Sequence, residues 1–495
     1  MKYALILAVI LLVSSCSDDY YDINDNPNQA VTTTPELILP SALNQSASLT
    51  GLTMNTLGNL FGYYWAPASD FLYYTDELLY NVTETFYTGI FESTYTGALP
   101  DYNYISNVES ENPVQYNNYK AIARIMKAYH FQYMVDLYGD VPYSDALQST
   151  GLLQPTYDDS QIIYDSIYIN LNVATDEIKA SLDNPDVQVP GSEDIFLNGN
   201  MEQWIKFANT LKLRVLMRQS NLDTDDYITS ELRSIAGDGY GFLQAGESVL
   251  SNPGYSNSNG KLNPFYSRFI NSSGSELGYY RATKGSDYLI DFLNETNDPR
   301  VQQMFAPAAN SGEYVGIAQG ESTTPTNKQL DLSSLGTGIL KGPSQDVMIL
   351  SSFESLFLQA EAIQRGYLTG DAQDLYETAI TESFKYLEVP DADSAAEDYY
   401  GQNIDQVSWT ASSNKLETII KQKWLALGSI NGIELWLDYT RTGYPSDLPL
   451  SIDAVQNQRP VRLLYPQSES STNSGNKPEQ STDSAFDDKI FWDVN

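Results

Sequence analysis

The feature that most constrains the fold is a long amphipathic pattern over residues 116–137. Apolar side chains recur there at helical spacing, at Ile122, Ile125, Met126, Tyr129, Tyr133 and Leu137. Gly139 and Pro142 follow and predict the end of the helix, because proline cannot continue a helix and glycine favours its C-terminus. Similar spacing over residues 162–182, 204–215 and 356–363 predicts a mainly α-helical protein.

Other segments indicate where helices begin and how they pair. Thr34-Pro35-Glu36 is typical of a helix start, and Pro40 is expected to interrupt that helix, with a restart at Ser41. Residues 353–365 and 371–384 predict two helices separated at Gly366-Tyr367. Their small residues are typical of tetratricopeptide-like helical hairpins, and an ordinary helical hairpin is the open alternative.

Long stretches rich in Gly, Ser, Asn and Pro separate the helical segments, at residues 251–286, 306–346, 391–413 and 467–483. Their embedded aromatic residues argue against disorder, so we expect a loop-rich irregular subdomain with short strands. The predicted organisation is a helical scaffold over 34–250, a loop-rich ligand-binding subdomain over 251–346, and helical hairpins with C-terminal loops over 347–495.

The N-terminus has the pattern of a processed leader. Lys2 precedes an apolar run over residues 4–13, and Ser14-Ser15 precede Cys16, the only cysteine of the chain. This predicts a signal peptide over 1–15, lipidation of Cys16 and a flexible tether over 16–33. The alternative is a plain secretory cleavage site with a chance cysteine.

Composition excludes several classes of function. The formal net charge of −37 repels phosphates, so nucleic acid is not an expected partner. His130, the only histidine, lies inside the long predicted helix, where a structural role is expected rather than a catalytic one. With no second histidine or free cysteine, zinc sites of these ligands are excluded, and we expect no metal site and no cofactor. Whether the protein binds a structural calcium ion is left open by the sequence. There is no phosphate-binding or dinucleotide motif, and nothing positive predicts an enzyme.

One motif is "YKAIARIMKAYHFQYMVDLYGDVPYSDAL" at 119–147, in which Gly-Asp-Val-Pro-Tyr follows a long predicted helix. This motif resembles the most specific one of the SusD/RagB nutrient-binding lipoproteins of Bacteroidetes. Others occur in the family's order, including "DINDNPNQAVTTTPELILPSAL" at 22–43, "WIKFANTLKLRVLMR" at 204–218 and "IIKQKWLALGSINGIELWLDYTRTGYP" at 419–445. The resemblance covers essentially the whole mature chain.

The resemblance implies a surface-exposed, lipid-anchored protein of the outer membrane. Such proteins capture oligosaccharides for import through a SusC-type TonB-dependent transporter, and their tetratricopeptide-like hairpins face that transporter. The expected ligand is a neutral oligosaccharide, because an acidic glycan is repelled by the net charge. The alternatives are a peptide-binding relative of the same family and a surface glycoside hydrolase.

The stretch "FGYYWAPASDFLYYT" at 61–75 is the first candidate for the ligand site, because it has seven aromatic residues. Sugars pack their C–H faces on aromatic rings while their hydroxyls need fixed polar partners. Pro67 is expected to end a helix here and to let Trp65 project from it, with Asp70, Tyr73 and Tyr74 nearby. The alternative is that Trp65, Phe71 and Tyr74 are core residues.

A second candidate is "SELGYYRAT" at 275–283, which supplies Tyr279, Tyr280 and Arg281. Plain loop packing is the alternative for these residues. Trp204, Trp424 and Trp436 fall on predicted amphipathic helices and are expected in the core, whereas Trp409 is undecided.

Overall fold

The computed structural model describes residues 33–148, 151–320 and 328–495. The predictions for the signal peptide and for Cys16 lie outside these residues, as does nearly all of the predicted tether. Helices dominate, as predicted. Those of nine residues or more are Pro35–Ser48, Leu99–Asn107, Asn117–Tyr138, Ser160–Ser181, Met201–Arg218, Asp225–Ala236, Asp287–Glu295, Ser352–Gln364, Ala372–Tyr386, Ala392–Tyr400, Lys415–Leu427 and Ile433–Thr442.

Shorter α-helices connect these elements, at Asn55–Phe61, Thr75–Leu79, Gly89–Ser93, Pro264–Phe269, Gly278–Ala282, Val301–Met304, Gln467–Thr472 and Ser484–Asp487. Two segments, Leu49–Met54 and Thr94–Ala98, are π-helices. None of the helices in the described part of the chain is long and apolar enough to cross a membrane.

The long predicted helix is confirmed as Asn117–Tyr138. Gly139 ends it with a φ of 80°, a conformation that glycine adopts without strain. The helix packs against Ser160–Ser181, which in turn packs against Met201–Arg218. Asp159 caps the second helix by accepting hydrogen bonds from the backbone N–H groups of residues 161 and 162.

The predicted hairpin is also confirmed, as Ser352–Gln364 packed on Ala372–Tyr386. Gly366 turns the chain between them at a φ of 86°. The third helix Ala392–Tyr400 packs on the second helix of the hairpin, although residues 391–413 were predicted to be loop. It forms because Ala396 and Tyr399 bury their side chains there, a contact that local composition does not reveal.

The predicted break at Pro40 is wrong. The first helix runs from Pro35 to Ser48 without interruption. Pro40 removes only the one hydrogen bond that its N–H would donate. Burial of Leu39, Ala42 and Leu43 in the core compensates for that loss.

Two small antiparallel sheets lie among the loops. The larger has the strand order Trp65–Pro67, Thr283–Gly285, Ser334–Leu335, Phe305–Ala306. Trp65 is paired with Gly285 and Pro67 with Thr283. The second sheet pairs Val249–Ser251 with Val347–Leu350. The predicted short strands are therefore present, and the larger sheet joins the N-terminal aromatic stretch to the loop-rich region.

Buried ion pairs connect several of the helices. Arg218 lies 3.1 Å from Asp136 and 2.9 Å from Glu434, and all three side chains are buried. Arg441 lies 2.6 Å from Glu361 in the same region. Burial alone would raise the pKa of Glu434, but the neighbouring guanidinium groups hold that pKa below its usual value. Because removing one partner leaves an unpaired buried charge, such pairs fix the relative positions of the helices.

Candidate functional site

Trp65 is a core residue. The helix before it ends at Phe61, and Trp65 begins a strand, so the prediction that it projects from a helix end is wrong. Its side chain is 0% exposed, and its indole N–H donates a hydrogen bond of 2.8 Å to Ser429 Oγ. Its ring packs on Phe265 and Phe269, at centroid distances of 6.2 and 6.1 Å. Trp65 therefore presents no ring face to a ligand.

The two candidate stretches meet in space. Strand pairing between Pro67 and Thr283 brings residues 68–74 alongside residues 278–282, and the Ala68 N–H donates to the Ala282 carbonyl at 2.8 Å. As a result the Tyr73 ring contacts the Tyr279 ring edge-on, with 4.6 Å between the centroids. The structure thus combines side chains from both segments into one cluster.

Three partly exposed rings form what we call the aromatic row: Phe71, Tyr73 and Tyr279. Phe71 lies 5.9 Å from Tyr73, measured between the ring centroids. Leu72, which lies between Phe71 and Tyr73 in the sequence, is 94% exposed. An exposed group of rings beside an exposed leucine is a surface on which the C–H faces of a sugar can pack.

Tyr74 supports the row from below. It is buried, lies 5.7 Å from the Tyr279 ring centroid, and shares a hydrogen bond of 2.8 Å with Thr283 Oγ1. Burial raises the pKa of Tyr74 to about 12, although the nearby Arg268 acts in the opposite direction. The phenol therefore stays neutral at physiological pH and keeps this hydrogen bond.

Gly278 allows the Tyr73 ring to approach the Tyr279 ring. A Cβ atom at position 278 would lie 2.2 Å from the Tyr73 hydroxyl oxygen. No side chain fits at that distance, so only glycine lets Tyr73 approach Tyr279 in this way. This glycine is part of the site although it offers a ligand no functional group.

A guanidinium group lies at each end of the row. The Arg268 guanidinium is 3.8 Å from the Tyr279 ring centroid, and that of Arg281 is 5.9 Å from the Phe71 centroid. Among the described residues, neither arginine has a carboxylate within salt-bridge distance. The Arg281 side chain is exposed, so its N–H groups are available to sugar oxygens, whereas the Nε of Arg268 is buried.

Asp70 and Tyr280 lie at the margin of the row. Asp70 is exposed, and its carboxylate accepts a hydrogen bond of 3.0 Å from the backbone N–H of Gln329. Tyr280 follows Tyr279 in the same short helix and is half-buried. Five of the seven predicted ligand-contact residues are thus at least partly exposed, namely Asp70, Tyr73, Tyr279, Tyr280 and Arg281.

Sequence reasoning missed three members of this site. Phe71 was considered only as a core residue, and neither Arg268 nor Gly278 was identified as part of the site. Gly278 could have been found from the sequence, because it directly precedes the tyrosine pair. Arg268 could not, because its contact with Tyr279 depends on the tertiary fold. Trp204, Trp424 and Trp436 are buried as predicted, and Trp409 is partly buried against Tyr376.

His130, the only histidine of the chain, lies inside the fold. His130 is buried, and its Nε2 lies 2.7 Å from Ser46 Oγ. Burial lowers the pKa of His130 to about 4, so the ring is neutral at physiological pH and has the predicted structural environment. Within the ranges that the structure describes, no group of acidic, histidine or cysteine side chains is arranged to hold a metal ion.

Comparison with known proteins identifies the family. A family model described as "Starch-binding associating with outer membrane" matches residues 27–466. The chain belongs to this SusD-like family. The resemblance found in the sequence is therefore confirmed. A search of curated proteins found no match.

Solved SusD-like structures share the fold over nearly the whole chain. A chitin-binding SusD homolog from Flavobacterium johnsoniae is 24% identical, with a TM-score of 0.76, and the match covers 92% of this chain and 99% of the homolog. A SusD homolog from Bacteroides fragilis is 23% identical, with a TM-score of 0.72 and coverages of 90% and 95%. A SusD-like protein from Bacteroides thetaiotaomicron is 21% identical, with a TM-score of 0.74 and coverages of 93% and 99%. These matches confirm the mainly helical SusD-like fold.

Proposed function

We propose that this SusD-like protein captures oligosaccharides at the cell surface and delivers them to a SusC-type TonB-dependent transporter for import. The observation that carries the proposal is the aromatic row, in which Tyr73 and Tyr279 come together from two separate segments. Rings of this kind stack on sugars, and the polar groups beside them can bond sugar hydroxyls. The family's description as starch-binding and associated with the outer membrane supports the same function.

We infer that the ligand is neutral. The net charge of −37 disfavours an acidic polysaccharide through long-range repulsion, whereas a neutral chain keeps the full benefit of stacking. The residues that we assign to the ligand are Asp70, Tyr73, Tyr279, Tyr280 and Arg281, with Phe71 added from the structure. Tyr74 supports them from below.

The test is binding of maltohexaose, cellohexaose, chitohexaose and an inulin-type fructan to the purified mature protein by calorimetry. Tyr73→Ala should weaken the binding of the preferred glycan about thirtyfold, the loss typical of a central aromatic anchor worth about 2 kcal/mol. Tyr227→Ala is the matched control, because Tyr227 is an exposed tyrosine on the helix Asp225–Ala236. An unchanged affinity in Tyr73→Ala would contradict the assignment of the site.

The same incubations test whether the protein is an enzyme. We propose that it binds without catalysis, so each glycan should be recovered intact. Release of shorter sugars would favour the glycoside hydrolase alternative. Binding of peptides with no response to any glycan would favour a peptide-binding relative.

The proposed location depends on Cys16, which we expect to be lipidated. Cys16→Ala should release the protein from the membrane fraction and abolish labelling with palmitate.

Copurification from native membranes should recover a large outer-membrane barrel as the transporter partner. Its absence from such preparations would count against the proposed import function.

A further inference from the structure

A second groove lies away from the aromatic row, between the N-terminal helix and the two π-helical segments. Its cavity has a volume of about 560 Å³. It shares no lining residue with the aromatic row. The residues that line it are Asn44, Gln45, Ser48, Leu49, Leu52, Thr53, Ser93, Thr96, Gly97 and Ala98.

The lining of this groove is uncharged in a protein of net charge −37. Seven of its ten residues are amides, hydroxyls or glycine and the other three are aliphatic. Amides and hydroxyls both donate and accept hydrogen bonds, as sugar hydroxyls do. The groove therefore suits a neutral polyhydroxyl ligand and lacks the charges that would hold an ionic one.

Several of these polar side chains make no hydrogen bond to any residue that the structure describes. Across the described ranges, the hydroxyls of Ser48, Thr53 and Ser93 make no hydrogen bond. Gln45 donates from Nε2 to Asp101 at 3.1 Å, and a Cβ at position 97 would lie 2.5 Å from its Oε1. Glycine at 97 thus leaves room for this amide oxygen beside the groove.

The groove has unusual backbone geometry on both sides. Leu49–Met54 and Thr94–Ala98, which form its walls, are both π-helical. π-Helical residues make up well under 1% of globular proteins and often occur at functional sites. Their presence on facing walls of one groove is a second reason, independent of its lining, to assign it a role.

A larger cavity, of about 980 Å³, lies next to this groove; Thr96 lines both, and aromatic rings line the larger one. Tyr104 is 38% exposed, and its hydroxyl is fixed by hydrogen bonds with the backbone N–H and carbonyl of Thr33, at 3.2 and 2.9 Å. Tyr95 is fixed by a hydrogen bond to the Pro142 carbonyl. Ring faces with anchored hydroxyls cost little entropy when a sugar stacks on them.

The charged residues that line the larger cavity are acidic. They are Glu92, which accepts from Ser468 Oγ at 2.7 Å, and Glu469, which accepts from Tyr157 at 2.8 Å. An anionic chain would be repelled from this surface, whereas a neutral chain would not.

We infer that the two neighbouring cavities, which share Thr96 as a lining residue, together form a second binding site for a neutral oligosaccharide. The class of ligand in this inference rests on the proposed function, but the second site lies apart from the aromatic row. The hydroxyls and amides of the smaller cavity bind sugar hydroxyls, and Tyr95 and Tyr104 stack on neighbouring sugar units. With two sites, a single protein can hold two glycan chains or two parts of one long chain.

The experiment is calorimetry with the same four neutral glycans, using variants that separate the sites. Tyr73→Ala should weaken binding at the aromatic row about thirtyfold and leave the binding step of the second site as the residual one. Adding Ser93→Phe, which fills the smaller cavity from an exposed position, or Tyr104→Ala should weaken that residual step at least about tenfold. Ser230→Phe in the Tyr73→Ala background is the matched control, because Ser230 is exposed on an unrelated helix.

The outcomes distinguish the two proposals. If Tyr73→Ala alone abolishes all binding, the aromatic row is the only site, and the second site is overturned while the proposed function stands. If both groove substitutions leave the residual step unchanged, the second site is likewise overturned. If wild-type protein binds none of the four glycans, both proposals fail.

Discussion

The Tyr73 ring lies edge-on to the Tyr279 ring, 4.6 Å away between centroids, and the two residues come from segments far apart in the sequence. The contact depends on the strand pairing between Trp65–Pro67 and Thr283–Gly285. A short sheet, rather than the helical scaffold, therefore assembles the proposed ligand surface. Substitutions that alter the approach of these two rings should change affinity while leaving the helices intact.

Gly278→Ala is the sharpest test of this arrangement. The added methyl group would lie 2.2 Å from the Tyr73 hydroxyl oxygen, so Tyr73 must move away from Tyr279. We expect glycan affinity to fall about tenfold, with a melting temperature close to that of wild type. Gly89→Ala is the control, since a Cβ at position 89 has no atom of a described residue within 4 Å. Equal affinity in the two variants would show that the ligand does not use the Tyr73–Tyr279 contact.

Trp65→Ala should affect stability. Trp65 is fully buried and its indole N–H is paired with Ser429, so truncation leaves a large cavity and an unpaired hydroxyl. The free energy of unfolding should fall by about 3–5 kcal/mol in chemical denaturation. Trp65→Phe keeps most of the packing and should lose less. Trp409→Ala, at a partly exposed tryptophan, should also lose less.

The affinity of folded Trp65→Ala protein for its glycan should be close to that of wild type. A large loss of affinity with unchanged stability would contradict the core position of Trp65.

How far the sequence predicts this molecule depends on whether a feature is local. The helix Asn117–Tyr138 was predictable because its apolar period and its stop at Gly139 lie within one segment. The break at Pro40 was predicted wrongly, because a buried face can compensate for one missing hydrogen bond. Rules based on local sequence take account of the proline but not of the core against which the helix packs.

The candidate site was predictable only in its parts. Composition identified both tyrosine-rich segments, but nothing local shows that Pro67 pairs with Thr283 and brings them together. The same pairing places Trp65 on a buried strand, although its sequence context indicated an exposed helix end. The Arg268–Tyr279 contact likewise requires the tertiary structure.

His130 provides a clean pH probe, because it is the only histidine. Burial lowers its pKa from 6.5 to about 4, so between these values the unfolded chain binds a proton that the folded protein does not. The contribution of neutral His130 to the free energy of unfolding is therefore fully present above about pH 6.5. It decreases as the pH falls and is lost near pH 4. The loss is about 3 kcal/mol at most.

His130→Gln should remove this component from the pH dependence of unfolding. The facing Tyr102 and Tyr129 do not titrate in this range, because burial raises the pKa of both. Ser46→Ala is the control, since it deletes the hydrogen-bond partner of His130 and keeps the titrating ring. If wild type and His130→Gln show the same slope between pH 4 and 6.5, the histidine is not excluded from protonation in the fold.

The salt dependence of binding tests the charge of the ligand. Arg268 and Arg281 flank the aromatic row without carboxylate partners in the described part of the chain, and they could pair with an acidic sugar. A neutral glycan makes no ion pair with them, so its dissociation constant should change less than about twofold between low and high salt. Alginate oligomers should bind weakly at low salt, because the net charge of −37 repels them. Arg281→Gln should then have a small effect on the neutral glycan, through one hydrogen bond. Tight alginate binding that salt and Arg281→Gln both weaken would show instead that the arginines select a carboxylate, and would refute the assignment of a neutral ligand.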